Sequence, residues 1–212
     1  MRCSVLISIC AVSTVLLFQT TSVFSQPAES VKIGKQEWSS RNLEVSTFSN
    51  GDPIPQIRSV EEWQAAGEAG KPAWCFYGNL SGNGKKYGKL YNWFAATDPR
   101  GLCPNGWRLP AHQDWQELVA GLNPKSAPRM MGSHFWMDKK KAENSSGFSG
   151  LPGGSRFYTG AFFYLQKGGI WWSSDSADAA HAWSLSLHFE EDEADMRLSN
   201  KQNGFSVRCI RN

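Results

Sequence analysis

The chain has 212 residues, 41% of them hydrophobic and 19% charged, enough to bury a sizeable core in one large domain or two small ones. Its formal net charge is +3 and its longest basic tract is Lys139-Lys140-Lys141, so it lacks the electrostatic footprint of a nucleic-acid binder, and the triplet reads as a solvated loop. Ten tryptophans are far above ordinary usage, which makes their placement the main question the sequence poses.

The chain opens with Arg2, an apolar run from Val5 to Phe18, and Val23-Phe24-Ser25 ahead of Gln26. That is the pattern of a cleaved secretory signal over residues 1–25, which implies a secreted or cell-surface protein. The run is short for a membrane span, no other stretch is long enough, and Ile9 before Cys10 disfavours lipid attachment there. Cys3 and Cys10 leave with the leader. Cys75, Cys103 and Cys209 remain in an oxidising compartment, which gives one disulfide and one free thiol.

Residues 26–212 read as one domain. Val31 to Trp38 predicts a hairpin turning at Gly34-Lys35. Ser46 to Ile57, with Asn50-Gly51-Asp52 and two prolines, reads as a loop. Ser59 and Glu62 form a capping box ahead of a short helix that Gly67 and Gly70 end. Pro72 to Tyr77 is an aromatic strand candidate with Cys75 as a buried apolar thiol, and Asn79 to Gly84 is a polar loop. Lys86 to Ala96 predicts an irregular start and a helical turn from Trp93.

Cys103 to Gly106 is a turn, and Trp107 to Leu109 is extended because Pro110 disfavours the α region before it. From Ala111, Trp115, Leu118, Val119 and Leu122 mark one face of a second helix, with Gly121 near its end. Asn123 to Glu143 predicts a surface excursion with little regular structure, a place for specificity on a rigid scaffold. Ser146 to Arg156 is glycine-rich. It lacks the Gly-Lys-Ser/Thr ending and following helix of a phosphate loop, so it reads as turns plugged by Phe148 and Leu151.

Phe157 to Leu165 and Gly169 to Ser174 predict an antiparallel pair. Ala182 to Phe189 alternates, with Trp183, Leu185, Leu187 and Phe189 facing a core. Glu190 to Asp195 is an acidic turn, and Asn203 to Ile210 a closing strand.

Several of these segments form an ordered set: Val31-x-Ile33-Gly34 to Asn42-Leu43, Tyr87-Gly88-x-Leu90-Tyr91-Asn92-Trp93, Cys103-Pro-x-Gly-Trp-Arg-Leu-Pro110 with Trp115, the glycine-rich run, and Gly204-Phe205-Ser206-Val207-Arg208-Cys209. The set resembles the Fibrobacter succinogenes major paralogous domain of bacterial surface and secreted proteins, over about residues 31–212. Its shorter core, Gly106-Trp107-Arg108-Leu109-Pro110, also resembles the formylglycine-generating enzymes, whose fold is a C-type lectin variant. The resemblance implies an α+β, C-type lectin-like, loop-rich fold with two short helices, small antiparallel sheets and one disulfide. It also implies the pairing of Cys103 with Cys209, each in a shared segment, closing a loop of about 105 residues. One departure is Ala111, where the family pattern has a Ser or Thr able to cap the helix; Gln113 or Asp114 would have to compensate.

The chemistry such a domain could carry is sparse. His112, His134, His181 and His188 are scattered and form no metal motif. The five carboxylates of Glu190 to Asp195 are where calcium would bind if the domain takes it, although the sugar-binding signatures of true C-type lectins are absent. The formylglycine-generating enzymes use two reactive cysteines close in sequence, and no two mature cysteines here are close. Trp171-Trp172 must face opposite sides of a strand, so one could be exposed to stack on a sugar. The expectation is a secreted, non-catalytic binding module without a required cofactor, its partner a glycan or a cell-surface protein. The alternatives are an enzyme of the formylglycine-generating type and a structural module of a cell-surface assembly.

Overall fold

A computed structural model describes residues 29–212; the expected leader, with Cys3 and Cys10, lies outside them. Ser30–Ile33 (β1) and Gln36–Ser39 (β2) form the expected hairpin, with Gly34 at φ 59 in the turn. Helix α1 is Val60–Glu68. The Ser59 hydroxyl accepts from the Glu62 amide at 3.2 Å and donates to the Glu62 carboxylate at 2.9 Å, which satisfies an end that would otherwise be open. Trp74–Cys75 (β3) pairs with Leu90–Tyr91 (β4), and between them the expected polar loop is instead a helix, Ser81–Tyr87 (α2). Gly84 is the reason α2 can lie there: a Cβ on it would stand 2.2 Å from the Phe76 ring. The expected helical turn Trp93–Ala96 (α3) is capped by the Asn92 side chain, which accepts from the Ala95 amide.

Trp107–Arg108 (β5) leads into His112–Leu122 (α4), which buries Trp115 and Leu118 as its periodicity requires. Ala111 supplies no cap. Its amide donates to the Asp114 carboxylate at 2.6 Å, and the His112 amide donates to Asp175, a residue 63 positions away. The expected unstructured excursion after α4 is corrected. Ser126–Met130 is a fifth helix (α5), and Met130, Met131 and Trp136 are buried, because apolar residues in this segment complete the core under α4.

The remaining strands are Gly153–Arg156 (β6), Phe162–Leu165 (β7), Gly168–Ser176 (β8), His181–His188 (β9), Asp195–Asn200 (β10) and Ile210–Arg211 (β11). One sheet has the order β10-β9-β8-β6-β7, and another the order β1-β2-β11-β5. The expected pairing of consecutive β7 and β8 is therefore not formed: β6 lies between them, antiparallel to β7 and parallel to β8. The predicted closing strand is regular only over β11. Phe205, Ser206 and Gly204 instead make single bridges to Tyr91, Trp171 and Arg156, threading the C-terminal segment between sheets. The result is a mixed α/β, loop-rich architecture with two short helices, α2 and α5, beyond the two helices and the helical turn expected. Among the described residues no helix is long and apolar enough to cross a membrane.

Much of the irregular backbone is satisfied by two fully buried arginines. Arg156 donates to the carbonyls of Ile57, Arg58 and Ser59. Arg208 donates to those of Ser39, Phe148 and Ser149 at 2.7–2.9 Å. A loop carbonyl removed from water needs such a partner, and one guanidinium serves several at once. Cys103 and Cys209 are bonded, with Cα atoms 6.0 Å apart, tying the turn before β5 to the residue before β11. Cys75 is free and buried, and burial pushes its thiol pKa up to about 12, so it is an inert packing residue.

Candidate ligand-binding face

The tryptophans lie in the core or half-buried at its edge. Trp171 and Trp172 point to opposite sides of β8, as an extended chain requires, but both are fully buried, and the expectation of an exposed stacking ring there is corrected. Trp171 packs in a cluster with Trp38, Trp115 and Phe148, and Trp172 in a second cluster with Tyr91, Trp74 and Phe205. Strand β8 is sandwiched because α4, α5 and the hairpin β1-β2 cover one side while the disulfide-bearing segments cover the other. The indoles donate inward, to Asn42 and to the Tyr91 carbonyl, both at 2.8 Å. None of the ten tryptophans is exposed; Trp93 and Trp183 are half-buried.

The exposed aromatic surface lies at the edge strand β7. Phe162 turns inward against Tyr77 and the Arg156 guanidinium. Phe163 and Tyr164 both face solvent, at 43% and 45% exposure, with ring centroids 6.2 Å apart. Neighbouring residues of a strand ordinarily point to opposite sides. Here Tyr164 has φ 66, a left-handed conformation that a bulky aromatic rarely adopts, and the chain turns so that both rings stay out. Phe157 packs on Phe163 at 4.7 Å, Tyr158 beside it is exposed, and His188 of β9 meets the Tyr164 ring edge-on at 6.3 Å. Gly154 in β6 allows the close approach of β7: a Cβ there would lie 2.5 Å from the Phe163 carbonyl.

A second strip continues this face. Phe135, at φ 70, and Met137 are exposed on either side of the buried Trp136. The Met137 amide donates to the Gln166 carbonyl at 2.8 Å, joining the strip to the turn after β7. Phe135 rests edge-on against Tyr87 at 5.4 Å. Burial raises the Tyr87 pKa, partly offset by a hydrogen bond with Gln166, so its hydroxyl stays protonated beneath the strip.

The acidic turn does not converge on a point. Glu193 accepts from the Lys125 and Ser126 amides and the Ser126 hydroxyl, which hold its pKa below the usual carboxylate range. Asp192 pairs with Lys141, Asp195 with Arg197, and Glu190 with His188. Among the described residues no three His, Cys, Asp or Glu side chains gather as a metal site. The histidines are apart: His112 stacks on Trp183, His134 lies by Phe135, and His181 pairs with Asp178. With Cys103 and Cys209 bonded to each other and Cys75 buried, two free thiols do not meet among the described residues.

The family model of the Fibrobacter succinogenes major domain matches residues 31–211. The chain belongs to this family. Searches of curated proteins and of solved structures gave no match. The match runs across both the core tryptophans and the β7 face, so the aromatic surface is built within the family domain and is not an appended segment. Sequence reasoning placed Phe157 to Leu165 in a strand without singling it out. The usable signal was Phe162-Phe163-Tyr164, three adjacent aromatics that one edge strand cannot all bury.

Proposed function

We propose that this family member is a secreted, non-catalytic binding module with a C-type lectin-like arrangement, and that its ligand is a glycan held on the β7 face. The observation that carries the reading is the group of solvent-facing rings at Phe163, Tyr164, Tyr158 and Phe135, two of them fixed by left-handed backbone. Exposed rings held rigidly lose little freedom on binding and offer flat apolar faces to the C–H face of a sugar. The C-type lectin-like reading is supported by the loop-rich architecture, the small sheets and the disulfide that ties the α4 region to the C-terminal strand. The dispersal of the acidic-turn carboxylates supports recognition without calcium.

The test is a panel of bacterial and plant glycans probed with residues 26–212, with and without calcium. Binding unaffected by a chelator and abolished in Phe163→Ala/Tyr164→Ala, with an unchanged circular dichroism spectrum, is the expected result. Binding to no glycan would remove the reading and leave a surface-protein partner in its place.

A further inference from the structure

The rings of the β7 face are bordered by cations that have no carboxylate partner. Lys86, at the end of α2, stands over the Phe135 ring at 6.0 Å. Lys167 follows Gln166 in the turn that the Met137 amide bonds to, and Lys139 and Lys140 follow Met137 in the next helical turn. All four are exposed, and among the described residues none is in an ion pair. Asp138, next to Lys139, accepts from the Lys140 amide, Asp192 pairs with Lys141, and Glu190 sits by His188, while the exposed Glu143 and Glu191 form no ion pair among the described residues.

Resting on the reading that this face binds a glycan, we propose that its ligand is an acidic polysaccharide, carboxylated or sulfated. The sugar rings would lie against Phe163, Tyr164 and Phe135, and their anionic groups would meet Lys86, Lys139, Lys140 and Lys167. Lysine is suited to this role because its ammonium is a mobile point charge that adapts to unevenly spaced anions. Phe135 is held edge-on against Tyr87 and Phe163 packs on Phe157, so these rings are fixed faces of the kind that stack on a sugar.

The test is binding to a polyuronate, a sulfated polysaccharide, a neutral β-glucan, and vesicles of phosphatidylcholine with phosphatidylglycerol, at low and at physiological salt. The acidic chains should bind, with affinity falling about tenfold as salt is raised. Lys86→Gln/Lys167→Gln should weaken that binding by about tenfold and flatten its salt dependence, because screening acts only on the charges that remain. Equal binding of the neutral glucan, insensitive to salt but lost in Phe163→Ala/Tyr164→Ala, would overturn the acidic ligand and leave the glycan reading intact. Binding to vesicles alone, or to none of these probes, would overturn both.

Discussion

Asn42 and Arg208, 166 residues apart, meet in the core: the Asn42 amide oxygen accepts from the Arg208 Nε at 2.8 Å. The same oxygen accepts from the Trp171 indole at 2.8 Å, and the Asn42 amide nitrogen donates to the Tyr87 carbonyl and the Ser206 hydroxyl. One side chain thus joins β8, the C-terminal segment and the end of α2. Among the described residues Arg208 has no carboxylate partner, and burial disfavours its charge, so its charge is held by neutral acceptors. Replacing Asn42 by Leu leaves two buried donors short and should cost about 3 kcal/mol in urea denaturation. A loss under about 1 kcal/mol would mean that these donors find other partners and that the junction is not the centre of the core.

Disulfide removal tests the long-range tie. The Cys103–Cys209 bond spans 106 residues. In the chain-entropy account such a cross-link restricts the unfolded ensemble by about 5 kcal/mol. A Cys103→Ala/Cys209→Ala variant should therefore lose about that much stability with its denaturant midpoint lowered. An unchanged midpoint would place the restriction elsewhere.

Lys89 gives a pH signature. Its ammonium stands 3.7 Å from the Trp74 ring centre and donates to the Ser46 hydroxyl, and it is almost fully buried. Burial lowers its pKa from 10.5 to about 8, opposed by the Glu44 charge. Between those values the unfolded chain holds a proton that the folded chain has released, so stability from this group rises with pH across that window and is flat below it. Cys75 acts oppositely: its folded pKa of about 12 lies above the ordinary 9.0, so above about pH 9 the unfolded state ionises first and stability falls. Comparing wild type with Lys89→Met separates the two. The difference should move in favour of the wild type from pH 8 upward, and a pH-independent difference would contradict the assignment.

The start of α4 predicts a gain. Ala111 leaves an open cap that Asp114 and Asp175 only partly fill. Ala111→Ser supplies a hydroxyl to the first turn and should raise stability by about 0.5–1 kcal/mol, while Asp175→Ala should lower it by about 1 kcal/mol. Thermal melts of both variants check the pair. A destabilised Ala111→Ser would show that Asp114 already saturates that end.

The sequence by itself determined the features written in local chemistry. The Gly34 turn, the Ser59 cap, the buried face of α4 at Trp115 and Leu118, and the Trp93–Ala96 turn were all legible, because capping groups and apolar spacing act within a few residues. The resemblance of whole segments supplied the Cys103–Cys209 pairing. Tertiary structure decided what covers each face. Alternation showed that Trp171 and Trp172 diverge but not that both sides are covered. Alternation put Trp183, Leu185, Leu187 and Phe189 on the core side of β9, yet Ser184 on the other side is also buried and shares a hydrogen bond with Ser199 of β10. The insertion of β6 between β7 and β8 depends on contacts between distant segments, as does the folding of 126–136 into the core. A local pattern reports which side of an element is apolar. The partner that buries it is chosen by the competition of all such surfaces, and here that competition drew the tryptophans inward and left Phe163 and Tyr164 outside.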